Sequence, residues 1–346
     1  MRYQLLASTV RRTTTRTWAR GGEEAGEIWR IEVDVDRLTL DVVHRLKLPS
    51  FHVSPLERFA GKGIAVLNDA VAVATYDSVC LYDRSLGQLL AQRSHRLMGD
   101  LHSLSVEGEF LYATSPLANA ILALDRDLNV VWAYLGHEDD ELCQRVGLTD
   151  DARARPKLFA GQAIDYRFYT GKDLDLFHFN HHFFVNGELI VNVPSRGRLW
   201  NVTRGDWFLS QFNVGDAWDG CFHDGVYLPK QGHYVSYTDR GTVNKHHPRT
   251  GALMASVSAV PDHQQCGPAR TGWLRGLVHL EGELFLVGQS GPSFGLVDFE
   301  HQTVRKWWSF GESQLHSFFA LTKFQAARGG AGRSREKGRS SPVFAP

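Results

Sequence analysis

The segment from Asp100 to Gly136, DLHSLSVEGEFLYATSPLANAILALDRDLNVVWAYLG, restricts the possible folds of this chain more than any other. It divides into four short runs, LHSLSVE, EFLYATS, AILALDR and VVWAYLG. They are separated by Glu107-Gly108, a polar loop and Asp127-Leu128-Asn129. Alternating apolar positions bounded by Gly, Asn and Asp predict strands joined by tight turns, so the segment reads as a four-stranded meander. Similar units open at Gly63, His102, His181, His223 and Gly276, at spacings of 39, 79, 42 and 53 residues. The spacing of 79 is one unit plus an insertion at about residues 138–175.

A period near 40 with four strands per unit predicts an all-β fold, a β-propeller. The ends of the chain complete it. YQLLASTV, EIWRIEVDVD and TLDVVHRLKLP read as three strands without a fourth, and HSFFALTK, from His316, reads as the missing one. Joining them closes the ring and leaves no open edge. The count is then six blades, or seven if the insertion hides a degenerate blade. The insertion HEDDELCQRVGLTDDARARPKLFAG predicts one or two helices. Residues 1–325 form one propeller domain in this reading. Residues 326–346, rich in Gly, Arg and Ser, are expected to be disordered.

Composition narrows the function classes. Lys plus Arg and Asp plus Glu number 38 each, so no global field favours nucleic acid or an anionic membrane. No apolar run approaches the roughly 18 residues of a membrane span. The N-terminus has no apolar stretch followed by a cleavage site, so no secretory signal is expected. The four cysteines form no CxxC pair, which fits reduced thiols and a cytoplasmic protein.

In a propeller the first strand of each meander lines the central channel, and residues opening these strands meet at one mouth. Read around the ring, they are Lys62-Gly63, Leu101-His102, Asn180-His181, His223-Asp224, Arg275-Gly276 and Leu315-His316. His102, His181, His223 and His316 thus recur at nearly one height, three of them in the similar contexts LHSLSV, NHHFFV and LHSFFAL. Imidazoles from separate blades suit a transition metal such as Fe, Cu or Zn with an open position. A metal-free anion site and purely structural histidines are the alternatives. A longer turn in the fifth unit leaves His223 and Asp224 interchangeable by one residue, and makes Asp224 a candidate catalytic carboxylate. Lys62, Arg196, Arg240 and Arg275 fall on the same face and suit a small anionic substrate. Asp100 is placed either to orient His102 or equally to anchor a turn. His246-His247 is expected to be solvated on the opposite face, and Trp132, Trp307 and Trp308 to pack between blades. No Gly-rich phosphate loop, nucleophile elbow or HExxH motif is present.

The stretch Phe177–Trp200, FHFNHHFFVNGELIVNVPSRGRLW, resembles the H-x-N…G-x-L…S-R pattern of bacterial arylsulfotransferase-type propellers. The resemblance implies a six-bladed ring and sulfate transfer between phenols through a channel histidine. His178, Asn180 and Arg196 fall on the matching positions, which makes His178 and Asn180 candidate catalytic residues. Over its whole length the chain is more similar to a group of uncharacterised bacterial propeller proteins. Three functions stay open on the sequence: a metal-dependent enzyme, a metal-free transferase, and a non-catalytic scaffold for a protein partner.

Overall fold

The computed structural model describes residues 1–11, 24–49, 60–158, 164–168, 174–214, 222–237, 241–260, 274–289, 293–310 and 316–324. Strands β1 (Arg2–Arg11), β2 (Glu24–Asp34) and β3 (Thr39–Pro49) pair in order at the N-terminus. The next blade runs through β4 (Ala60–Val66), β5 (Ala70–Thr75), β6 (Ser78–Asp83) and β7 (Leu89–Ser94). The unit that opened the sequence reading becomes β8 (Leu104–Glu107), β9 (Phe110–Ser115), β10 (Ala120–Leu124) and β11 (Val130–Leu135). Helices α1 (Asp140–Arg145) and α2 (Asp150–Leu158) fill the insertion. Then come β12 (His182–Val185), β13 (Glu188–Val193), β14 (Arg198–Asn201) and β15 (Asp206–Phe208). Two further blades follow. One holds β16 (Phe222–Leu228), β17 (Gly232–Tyr237), β18 (Thr242–His246) and β19 (Leu253–Ser258). The other holds β20 (Leu274–Glu281), β21 (Leu284–Gln289), β22 (Ser293–Asp298) and β23 (Thr303–Ser309).

Strand β24 (His316–Lys323) closes the ring. It pairs antiparallel with β1, from Arg11↔His316 to Leu5↔Lys323, and is the innermost strand of the N-terminal blade. The result is a six-bladed β-propeller, and the described part of the insertion contributes helices rather than a seventh sheet. The tail at 326–346 lies outside the described residues.

Among the described residues there is no central apolar core. The buried side chains fall into six clusters, each between two neighbouring blades. Period-two alternation sends successive residues of one strand to opposite neighbours. On β5, Val71 and Val73 face the N-terminal blade while Ala72 and Ala74 face the β8–β11 blade. On β13, Leu189, Val191 and Val193 face one neighbour and Ile190 the other. Both faces of the middle strands are therefore covered, which is why they read as continuous apolar runs such as AVAVAT. Trp132, Trp307 and Trp308 pack into these interblade layers as expected.

Two other expectations need correction or a boundary. His246 is buried, not solvated: Nδ1 lies 2.9 Å from the Gly251 carbonyl and its ring 4.7 Å from that of Phe212. The cause is the segment 209–212, which folds over the end of β18 through a Gln211 N–H to Thr250 carbonyl bond of 2.8 Å. His247 caps that turn, Nδ1 accepting from the Arg249 and Thr250 amides at 3.3 and 3.2 Å. Cys80 and Cys143 are buried free thiols, and Cys221 and Cys266 lie outside the described residues. Among the described residues, no helix is long and apolar enough to cross a membrane.

Candidate functional site

A cavity of about 170 Å³ lies on the propeller axis, lined by residues from all six blades. Its polar wall consists of Lys62, His102, Ser103, Ser105, His181, His182 and Asp224. Leu277 and the segment Ala320–Thr322 complete it. Pockets for drug-sized ligands run to roughly 300–1,000 Å³, so the occupant of this one is small.

The strands converge here because they depart from regular geometry. Register shifts occur in β4 between Ala60 and Ile64, in β16 between Phe222 and Asp224, and in β20 between Arg275 and Leu277. Bulges of this kind end pairing and re-aim side chains beside sites. Gly276 occupies the β20 bulge at φ +71°, and its N–H donates to Asp224 Oδ2 at 2.6 Å. That bond turns Asp224 toward the cavity. On β4, a Cβ at Gly63 would stand 2.5 Å from the His102 carbonyl oxygen. Only glycine lets β4 and β8 approach so closely. Gly63→Ala is expected to cost about 2 kcal/mol through overpacking, measurable by urea denaturation. An unchanged midpoint would contradict the packing.

Three imidazole–carboxylate pairs surround the cavity and its mouth. His102 is buried, its Nε2 3.4 Å from Asp100 Oδ2, and the other oxygen of Asp100 accepts from the Lys62 ammonium. Asp100 thus orients His102, as its position two residues earlier allowed. His178 Nδ1 meets Asp175 Oδ2 at 2.6 Å, and its ring stands edge-on to that of His102, centroids 5.3 Å apart. His181 Nδ1 lies 3.6 Å from Asp224 Oδ1. Asp100 and His178 both have left-handed backbone, at φ +58° and +54°. Asp and His tolerate that region better than most residues, and its use at two successive blade entries swings both side chains inward.

His181 is the unusual member. Neither ring nitrogen makes a hydrogen bond of good geometry, although the side chain is only 12% exposed. Burial lowers its pKa, and the nearby Asp224 carboxylate and Gly225 backbone oppose that shift without cancelling it. A neutral imidazole with unmet capacity therefore faces the cavity. His182 is different: Ser103 Oγ lies 2.9 Å from Nδ1 and Ser105 Oγ 2.6 Å from Nε2. Burial, and secondarily His181, push its pKa down to about 3.

The structure sorts the sequence-derived residues as follows. Lys62, His102, His181 and Asp224 line the cavity. His178 stands beside it. Asn180 is buried behind the wall, accepting from the Asn192 amide, while the Asn180 and His181 backbone amides both donate to Asn192 Oδ1 at 3.1 and 2.8 Å. Asn180 therefore shapes the entry to β12. Arg196 lies outside the cavity and donates to the Val146 carbonyl at the end of α1. Arg275, half-buried on β20, pairs in register with Gly288 and is not part of the wall. His223 sits within the β16 irregularity and His316 opens β24, their side chains lying outside the described residues. Ala320, further along the same strand, lines the cavity. Arg240 also lies outside the described residues. Sequence reasoning missed Ser103, Ser105 and His182. The available signal was the i, i+2 hydroxyl pair in LHSLSV, which places both on one strand face.

No family model matches the chain, and no curated protein does either. Among solved structures, a protein of unknown function from Bacteroides caccae aligns with TM-score 0.55 and 11% identity, over 94% of this chain and 100% of that one. The WD40 β-propeller domain of Doa1 aligns with TM-score 0.45 and 12% identity, over 74% of this chain and 69% of that one. At such identities the first likeness speaks for the fold alone.

Proposed function

We propose that the axial cavity is a small-molecule site in which His102 and His181, each backed by a carboxylate, exchange protons with an anionic, oxygen-bearing ligand held by Lys62. The observation that carries this reading is His181. A buried imidazole without a well-formed hydrogen bond costs free energy unless something completes it, and this one faces a cavity. A carboxylate-backed imidazole is also the arrangement general acid–base catalysis uses. Lys62 supplies the positive charge for the anion.

The test is thermal denaturation in rising sulfate, phosphate and acetate. At one hundred times its dissociation constant, a ligand specific for the folded state adds about 2.7 kcal/mol. The expected result is a saturating rise in melting temperature for at least one anion, abolished in His181→Ala. A non-saturating response, or one equal in the variant, rejects the reading.

A second reading keeps the site but adds a metal. Imidazoles backed by carboxylates are how proteins orient metal ligands, and β16 brings His223 into the same ring of strands. Among the described residues, the group of three or more potential ligand atoms within 4.8 Å of one another is Asp298, Glu300 and His301. That group lies at the β22–β23 turn, where Arg305 already pairs with Asp298 at 2.6 Å. An axial metal would need His102 and His181 joined by His223 or His316. Elemental analysis of chelator-free protein separates the readings. Near one Fe, Cu or Zn per chain, lost in His102→Ala, supports the metal. Metal-free protein after reconstitution leaves the acid–base reading.

A further inference from the structure

We propose that Ser105 is a nucleophile of the axial cavity, activated by His182 with Ser103 as its orienting partner, and that the site accepts short acyl groups from small carboxylic esters. The inference rests on the cavity being the working site and adds a covalent function to it.

The assignment is one of the two His182 tautomers that the hydrogen-bond inventory accommodates. A neutral imidazole has one donor and one acceptor nitrogen, so one of the two serines must give its proton to His182. The Ser103 hydroxyl has a second neighbour, Thr114 Oγ1, at 3.3 Å. In the proposed tautomer it donates there and accepts from His182 Nδ1–H at 2.9 Å. That leaves His182 Nε2 as the acceptor for the Ser105 proton at 2.6 Å. Nucleophile, base and orienter then lie in one line, the pattern by which weak hydroxyl nucleophiles are activated. All three line the same cavity. The order of residues along the chain is immaterial to this logic, because roles are set by geometry.

The base is held firmly. His182 is 2% exposed, packed against the rings of Tyr112 and Phe184. It belongs to β12, while both serines belong to the entry and first residues of β8 in the neighbouring blade. The chemistry therefore sits across a blade interface. In the forward step Ser105 Oγ bonds to the ester carbonyl carbon and its proton passes to His182 Nε2. The carbon–alkoxide bond then breaks, and the alkoxide takes that proton and leaves as an alcohol. Water, deprotonated by the same nitrogen, releases the acid and restores Ser105. The cavity volume limits the acyl group to a few carbons, and Lys62 on the same wall suits a carbonyl oxygen gaining charge.

The experiment uses p-nitrophenyl acetate as probe, reading nitrophenolate release and the acetylated residue by peptide mass spectrometry. The full chain is used, with melting curves confirming that each variant is folded. The expected result is acetyl-Ser105 in the wild type, none in Ser105→Ala, and at least about a hundredfold slower acetylation in His182→Gln, the scale of a lost general base. Ser103→Ala, which keeps nucleophile and base, is expected to slow it about tenfold. Acetylation only at other residues, none at all, or wild-type rates in His182→Gln overturns the proposal. Anion stabilisation that persists in Ser105→Ala leaves the cavity reading intact, so the two fail separately.

Discussion

Replacing Asp139 with alanine is expected to lower the unfolding free energy by about 3 kcal/mol, because one carboxylate serves three elements. Oδ1 accepts the Leu142 amide at 2.9 Å and caps α1. Oδ2 accepts Tyr134 Oη–H at 2.7 Å from β11 and Trp200 Nε1–H at 3.2 Å from β14. Loss of an N-cap costs about 1 kcal/mol. Leaving buried donors unmet costs about 1–3 kcal/mol more. Trp200 is fully buried, and the Tyr134 hydroxyl, its pKa raised by burial and by Asp139, stays protonated as a donor. Leu142 and Cys143 of α1 pack in the cluster between these two blades. The substitution therefore loosens the insertion and the blade interface together. Asp139→Asn, which keeps an acceptor for the cap, is expected to recover more than half of the loss. Urea denaturation decides the matter, and an alanine variant as stable as the wild type would exclude this role.

Acid is expected to destabilise the protein well before its carboxylates protonate. Burial holds His182 and His233 neutral in the folded state, with both pKa values below the ordinary 6.5. His233 is fully buried among Phe183, Phe212 and Tyr227, and neither of its nitrogens is hydrogen-bonded. The unfolded chain binds protons at these positions below about pH 6.5 and the folded chain does not. Stability is thus flat above that pH and falls as pH drops through it. At pH 5.5 each histidine withdraws about 1.4 kcal/mol relative to pH 7.5, about 3 kcal/mol for the pair. The depressed carboxylates, such as Asp165 beside Arg167, act in the same direction but at lower pH. Urea midpoints at pH 7.5 and 5.5 measure the effect. His233→Leu should remove about 1.4 kcal/mol of the difference, and an equal slope in that variant would sink the explanation.

The fold was legible because each blade repeats the same four-strand grammar, and turn residues such as Glu107-Gly108 mark its punctuation. The closing of the ring was legible for a simpler reason: three strands at one end and one at the other have no other partners. The site was only partly so. Aligning blades by their first residue correctly brought Lys62, His102, His181 and Asp224 together. It did not find Ala320, which β24 brings to the cavity wall. One residue per blade also hid His182, whose partners lie on the neighbouring blade and whose pairing depends on tertiary contact. Arg196 looked like an anion ligand because its Ser-Arg-Gly context says nothing of the Val146 carbonyl, contributed from 50 residues away.

The wall segment Ala320–Thr322 belongs to the strand that leaves the ribosome after all the other described strands. Until it docks beside β1, the channel is an open groove with β20 and β4 unbridged. The cavity is then completed only when this strand docks. A chain without β24 carries His102, His181 and His182 but lacks part of their enclosure, so ligand capture reports that the ring has closed.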